Sequence, residues 1–316
     1  MRHRRAGIAV GAAALLVAGA LWLAAGRGSP GVVAVPAVAP ARQSAGTPPP
    51  PPRGALVLAQ AHGSLAVGLA AQRTSAGVRL TATVVAPDGT GVRGLRLQFA
   101  VDGRTLPAAR SCGAGCYASS ASIAPPVGSV VVALRGMGRP ASAVAFDLPA
   151  GWPVPAAPLL TAAEHAFTAL RSVEYRERLS TGPHVTGTSV WRSEAPDRLS
   201  YRSASGDAGV VIGTRRWDLV VGGGWRRSLQ NPPLSVPSPP WGAGGYDVMS
   251  LGSGKLGGRA VVRFSMFEPS TPAWYTVTLD RASKRTLLVE MTAAAHFMQD
   301  RYVAFDAPRQ ISPPAG

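Results

Sequence analysis

Leu159-Leu160-Thr161-Ala162-Ala163-Glu164 opens the half of the chain whose pattern decides the fold, and Ala295-His296-Phe297-Met298 stands near its end. Thr161 and Glu164 have the spacing of a capping box, in which each side chain accepts a hydrogen bond from the other's backbone N–H. That spacing predicts a helix over 161–172, with Ala163, Ala166, Phe167 and Leu170 on one face and His165 off it. From Val173 the period falls to two. Val173, Tyr175 and Leu179 oppose Glu174, Arg176 and Arg178; Leu199 and Tyr201 oppose Ser200 and Arg202; Trp217 and Leu219 oppose Arg216 and Asp218. Pro196-Asp197 and Gly222-Gly223-Gly224 supply reversals, and a proline-rich crossing runs through 232–240. A helical turn is expected near 246–251, after which alternation resumes at 260–266, 273–280, 286–292 and 301–305. Strands joined by short turns are mostly neighbours. The expectation for 158–314 is therefore an antiparallel half-barrel with one or two helices on its concave face.

Upstream, Met1-Arg2-His3-Arg4-Arg5 precedes an apolar run to Gly26, long enough to span a bilayer as a helix. Its flanking arginines favour a cytoplasmic N-terminus, placing the rest outside the membrane. Residues 1–26 are accordingly expected to be a signal-anchor, with a cleaved signal peptide as the rival; either one exports the remainder. Residues 27–53, ending in Pro48-Pro49-Pro50-Pro51-Pro52, suit a semi-rigid polyproline stalk.

Residues 54–150 show short alternating runs, such as Val78, Leu80, Ala82 and Val84, or Leu95, Leu97 and Phe99. Turn signals at Pro87-Asp88-Gly89 and Asp102-Gly103 part them. A small immunoglobulin-like β-sandwich is expected, although no Trp lies in the segment. The chain's two cysteines, Cys112 and Cys116, fall here. In an exported domain a local disulfide is the first expectation and a soft-metal or redox pair the alternative.

The formal net charge is +16, and Arg supplies nearly all of it, Lys255 and Lys284 being the only lysines. The arginines are scattered, with no basic block interleaved with aromatics, which argues against nucleic acid. Gly252-Ser253-Gly254-Lys255-Leu256-Gly257 has the letters of a dinucleotide fingerprint, but a strand pattern follows where a helix is required. A hairpin or loop is expected there. No nucleophile elbow, metalloprotease motif or carboxylate cluster occurs, so no enzyme is expected and no cofactor is implied. His296 and Met298, two apart on a strand, form an imidazole–thioether pair suited to Cu(I), with Met291 placed across the parity. His62, after the stalk, is a further weak metal candidate. Core packing is the plainer explanation for the first pair and surface placement for His62. Trp217, Trp225 and Trp274, with Phe167 and Leu170, are the candidates for lining a lipophilic site.

The leading helix, Trp191 followed by Ala195-Pro196-Asp197-Arg198-Leu199, Arg216-Trp217-Asp218 and the terminal strands together resemble the LolA/LppX-like lipoprotein-carrier superfamily. That superfamily includes the sensor domain of the RseB-type sigma-factor regulators. The resemblance implies a half-barrel plugged by helices, which binds lipids, lipoproteins or partner proteins without catalysis. With Cys112-Gly113-Ala114-Gly115-Cys116-Tyr117 in front, the arrangement also looks like the exported tails of actinobacterial copper-resistance membrane proteins. The expected role is a membrane-anchored extracytoplasmic carrier for a lipophilic ligand or lipidated partner, with an envelope protein as a further possible partner. A copper-handling accessory and a cell-surface scaffold are the alternatives.

Overall fold

The computed structural model describes residues 46–315 except 137, 184, 220, 221, 242–245 and 270. The apolar leader and residues 27–45 lie outside the described residues. Among those described, no helix is long and apolar enough to cross a membrane.

The first body is a two-sheet sandwich. One sheet has the order β1-β2-β3-β7-β6, from β1 (Leu56–His62), β2 (Leu65–Thr74), β3 (Gly77–Val85), β6 (Arg110–Gly113) and β7 (Cys116–Ala118). The other has the order β5-β4-β8-β9, from β4 (Arg96–Val101), β5 (Arg104–Ala108), β8 (Ser129–Gly136) and β9 (Arg139–Asp147). Between them Leu69, Leu80, Phe99, Val132 and Phe146 are fully buried. Asp102 and Gly103, both at positive φ, close the two-residue turn from β4 to β5. Cys112 and Cys116 form a disulfide that pins the β6–β7 hairpin, with Cα atoms 5.0 Å apart. Beside it, the buried Tyr117 hydroxyl donates to Val92 O at 2.8 Å and accepts from Leu95 N at 3.2 Å. The end of the proline run is not a free stalk. Pro48 and Pro51 are buried, and the Gly91 N–H donates to Gly46 O at 2.7 Å, tying this segment to the sandwich. Two buried prolines three apart match the threefold period of polyproline II.

The second body is one helix, α1 (Ala157–Thr168), on an 11-stranded antiparallel sheet. Its strands are β10 (Ser172–Gly182), β11 (Val185–Glu194), β12 (Arg198–Ser203), β13 (Ala208–Ile212), β14 (Arg215–Leu219), β15 (Trp225–Leu229), β16 (Tyr246–Leu256), β17 (Arg259–Glu268), β18 (Ala273–Asp280), β19 (Thr286–Ala293) and β20 (His296–Phe305). Their spatial order runs from β15 down to β10, then from β20 down to β16. The first and last strands therefore pair at the centre, and β15 and β16, consecutive in the chain, lie at opposite edges.

Two local expectations need correcting. The helix starts four residues before Thr161: Ala156 is the N-cap with no side-chain cap, and Pro158 sits in the first turn. Proline prefers that position, since its fixed φ suits the helix and its missing N–H costs no bond there. Thr161 and Glu164 are thus interior, and the helix ends at Thr168 with no capping box. Residues 246–251 are strand, not a helical turn, because β16 pairs with β17 and is buried against both bodies. The glycine-rich segment forms a hairpin, as expected. Only Gly257 and Gly258, both at positive φ, make the reversal to β17.

The two bodies share a core. In β2, Leu65, Val67, Leu69 and Ala71 face the sandwich interior, while Ala66 and Ala70 face outward against Phe267 and Trp274. Gly68 lies between those alanines, and a Cβ there would come within 2.6 Å of the Trp274 indole. The chain between the bodies lies along the sheet edge, with Ala156 N donating to Val248 O and Ser250 N donating to Val154 O.

Candidate functional site

Strand alternation and register give the big sheet two distinct faces. The face beneath α1 carries the second core. Phe167 meets Tyr302 edge-on at 5.6 Å and Trp241 at 6.2 Å, and Trp241 in turn meets Phe264 at 6.4 Å. Trp241, carried in by the crossing segment, is 2% exposed. Aromatic rings fill the space under the helix.

The same face continues past the helix as a row of rings over the central strands. Tyr302 lies 5.1 Å from Tyr175, Tyr175 stacks on Trp191 at 6.0 Å, and Trp191 stacks on Tyr201 at 4.7 Å. The pairing Tyr302↔Tyr175↔Trp191↔Tyr201↔Gly209 puts them in line across five strands. Gly209 ends the row for a steric reason: a Cβ there would sit 2.2 Å from the Tyr201 ring, which lies over it. Beyond it, Arg216 and Asp218 pair at 2.8 Å. Trp191 and Tyr201 lie outside the core under α1 and stay partly exposed.

Next to this row two carboxyls face each other across the central pair of strands, Glu177 on β10 and Asp300 on β20. Burial, then the neighbouring Glu177, pushes Asp300 well above the usual carboxylate range. Burial also raises Glu177, against a 3.0 Å hydrogen bond donated by Ser189. The Trp191 indole N–H donates to the same Ser189 hydroxyl at 2.8 Å. Tyr175 and Tyr302 are raised by burial and by Asp300, so both are neutral donors at any physiological pH. At the Tyr175 end of the row burial thus disfavours charge on the acid pair, while the Tyr201 end abuts the Arg216–Asp218 ion pair.

The sequence candidates fall in three places. Phe167 and Leu170 are buried in the core under α1. Trp274 faces the opposite way, tilted against Phe267 at 5.1 Å between the two bodies. Trp217 and Trp225 also lie on the face away from α1, because Trp217 pairs with Val210, and Trp225 with Leu219. The five are not one site. Trp191, Tyr175 and Tyr201 form the row instead; their signal was a single aromatic in each of three successive strands already visible as strands.

Among the metal candidates, Met298 stands directly opposite Met291 across β19 and β20, and His296 is two residues away on the same side. Met291 therefore shares the face, a correction to the parity expected from sequence. Burial lowers His296, which keeps the imidazole neutral. His62 ends β1 in the sandwich, paired with Leu65. Among the described residues, no group of three or more His, Cys, Asp or Glu side chains could hold a metal ion.

No family model matches the chain, and no curated protein matches it significantly. Among solved structures it is similar to a LolA superfamily protein from Nitrosomonas europaea, at 8% identity over 50% of this chain and 95% of that one. The TM-score is 0.28, too low to add to what the strand order shows directly.

Proposed function

We propose that this chain is an extracytoplasmic, membrane-anchored binding protein without catalytic function, and that it holds a lipophilic ligand or lipidated partner along the row Tyr175–Trp191–Tyr201. The observation that carries the reading is the stacked Trp191–Tyr201 pair, left partly exposed outside the core under α1. Rigid aromatic rings on a sheet offer an acyl chain apolar area at little entropic cost. The sandwich carries the sheet. Its orders β2-β3-β7-β6 and β5-β4-β8-β9 correspond to ABED and C′CFG of an immunoglobulin-like sandwich, with β1 as an added edge. Such a module suits a spacer between membrane and binding sheet.

The test is uptake of an uncharged fluorescent acyl probe by the full chain, wild type against Trp191→Ala and Tyr201→Ala. Loss of uptake in both variants is expected. Undiminished uptake in both, or none by wild type, overturns the reading.

A copper-handling role is a second reading, favoured by Met291, Met298 and a neutral His296 gathered on one side of β19–β20. Imidazole and thioether donors suit Cu(I). Titration of Cu(I) into wild type, Met291→Leu and Met298→Leu decides it, and equal weak binding in all three removes it.

A further inference from the structure

The other face of the central strands bears arginine where the α1 face bears aromatic rings. Register places Arg301, Arg176, Val190, Arg202 and Ala208 in one line across β20, β10, β11, β12 and β13, with Leu219 and Trp225 continuing it on β14 and β15. Arg178 lies one step along β10 on the same side. Arg176, Arg178, Arg202 and Arg301 are all exposed, and among the described residues none has a carboxylate within ion-pair distance. The two carboxylates that β10–β15 and β20 place on this face are already engaged. Glu174 takes Arg192 at 2.8 Å and Arg309 at 2.9 Å, while Glu194 accepts from the Ile311 N–H at 3.3 Å.

These arginines wall a groove of about 770 Å³, with Val190, Val210 and Trp225 among its apolar lining and Pro314 of the C-terminal segment at its margin. That volume suits a small ligand. Arg301 and Arg176 are directly opposed, and like charges so placed on a sheet repel. Glu174, two residues along β10, attracts Arg176 but is held at hydrogen-bond distance by Arg192 and Arg309, whereas an anion between the two guanidinium groups would reverse the sign of the repulsion directly. Strand spacing sets Arg176 and Arg202 about 10 Å apart at the backbone, on either side of Val190. Long side chains from both can converge on one oxyanion above that valine.

We infer that this groove binds an anionic amphiphile: a phosphate headgroup held between Arg176, Arg202 and Arg301, with its apolar part running over Val190 and Val210 toward Trp225. Planar guanidinium groups take phosphate oxygens two at a time, and the apolar end gives the ligand a direction that free phosphate lacks. The arginines that hold the headgroup lie on the reverse side of the strands from the aromatic row, with Tyr201 bordering both, and the site stands or falls independently of the lipophilic reading above.

The experiment is native mass spectrometry of the full chain in non-ionic detergent, equilibrated with phosphatidylglycerol and phosphatidylcholine of identical chain length. Wild type is expected to retain the anionic lipid about tenfold over the zwitterionic one, the scale of one or two charge-assisted hydrogen bonds. Arg176→Gln/Arg202→Gln should abolish that preference, while Trp191→Ala should keep it. Equal retention of the two lipids by wild type, or an unchanged preference in the double variant, overturns the inference. Displacement of the lipid by millimolar inorganic phosphate would reduce the site to a free-anion site and overturn its amphiphile part. As a control for folding, Arg301→Gln without lipid should melt at or above the wild-type temperature; a lower melting temperature would show the arginines to be structural.

Discussion

The two ends of the eleven-stranded sheet are built differently. At the β16–β18 end both faces are covered: Phe264, Met266, Tyr275 and Val277 pack under α1, and Phe267 and Trp274 pack against the sandwich. Across β10–β13 the α1 face offers a partly exposed aromatic row and the reverse face an arginine-walled groove. A strand buried on both sides contributes stability and little else; a strand with two accessible faces can recognise something on each. The chain spends its helix and its whole first domain on holding one end still.

Breaking the covered end should have the largest effect. Trp274→Ala leaves a void opposite Gly68, and a loss of about 3–5 kcal/mol is expected from chemical or thermal unfolding. A loss below about 1 kcal/mol would mean that the two bodies do not share a core. Opening the disulfide by Cys112→Ser/Cys116→Ser should cost at most about 2 kcal/mol, since so short a loop confines the unfolded chain little. Uptake of the acyl probe should be unchanged, because the β6–β7 hairpin is remote from β10–β13 in the fold.

The acid pair sharpens the contrast through pH. Both carboxyls are raised, so the folded protein holds protons that the unfolded chain gives up. Their contribution is fully present below the ordinary carboxylate range and is lost as pH rises through the folded values. Asp300→Asn should therefore match wild type in acid and melt a few degrees higher at neutral pH. A variant that is less stable at neutral pH would show that Asp300 is charged and paired. At the accessible end, Trp191→Ala should cost only about 1 kcal/mol of stacking while removing probe uptake. Smallest of all, Glu174→Ala frees Arg192 and Arg309 at about 0.2–1 kcal/mol. Faster proteolytic nicking within 307–314 should report the released segment.

Much of this was legible in the residues. The strict alternation at Val173–Leu179 and the turn chemistry at Asp102-Gly103 are local signals, and the strands and turn they imply are present. The helix was found but its start displaced, because Thr161 and Glu164 mimic a cap while Ala156 and Pro158 supply the real one without a side-chain bond. Strand β2 was invisible as alternation, since Leu65–Ala71 is apolar on both faces; only the shared core explains why. The arginine line could not be read at all. Arg176, Arg202 and Arg301 are far apart in sequence and meet only through the pairing of β10 with β12's neighbour and with β20. Equally, Trp274 and Phe264 carry the same apolar signal, and only the register assigns them to opposite faces.

The junction of β10 with β20 has a consequence for how the molecule comes into being. Val173 finds its partner in Phe305, so the middle of the sheet is the last part that a chain emerging from its N-terminus can complete. Until then β10 presents an unfilled ladder of amide groups that any stray strand could occupy. The strands of the sandwich are all made early, but its neighbour must be kept from premature company until its final ten-residue strand arrives.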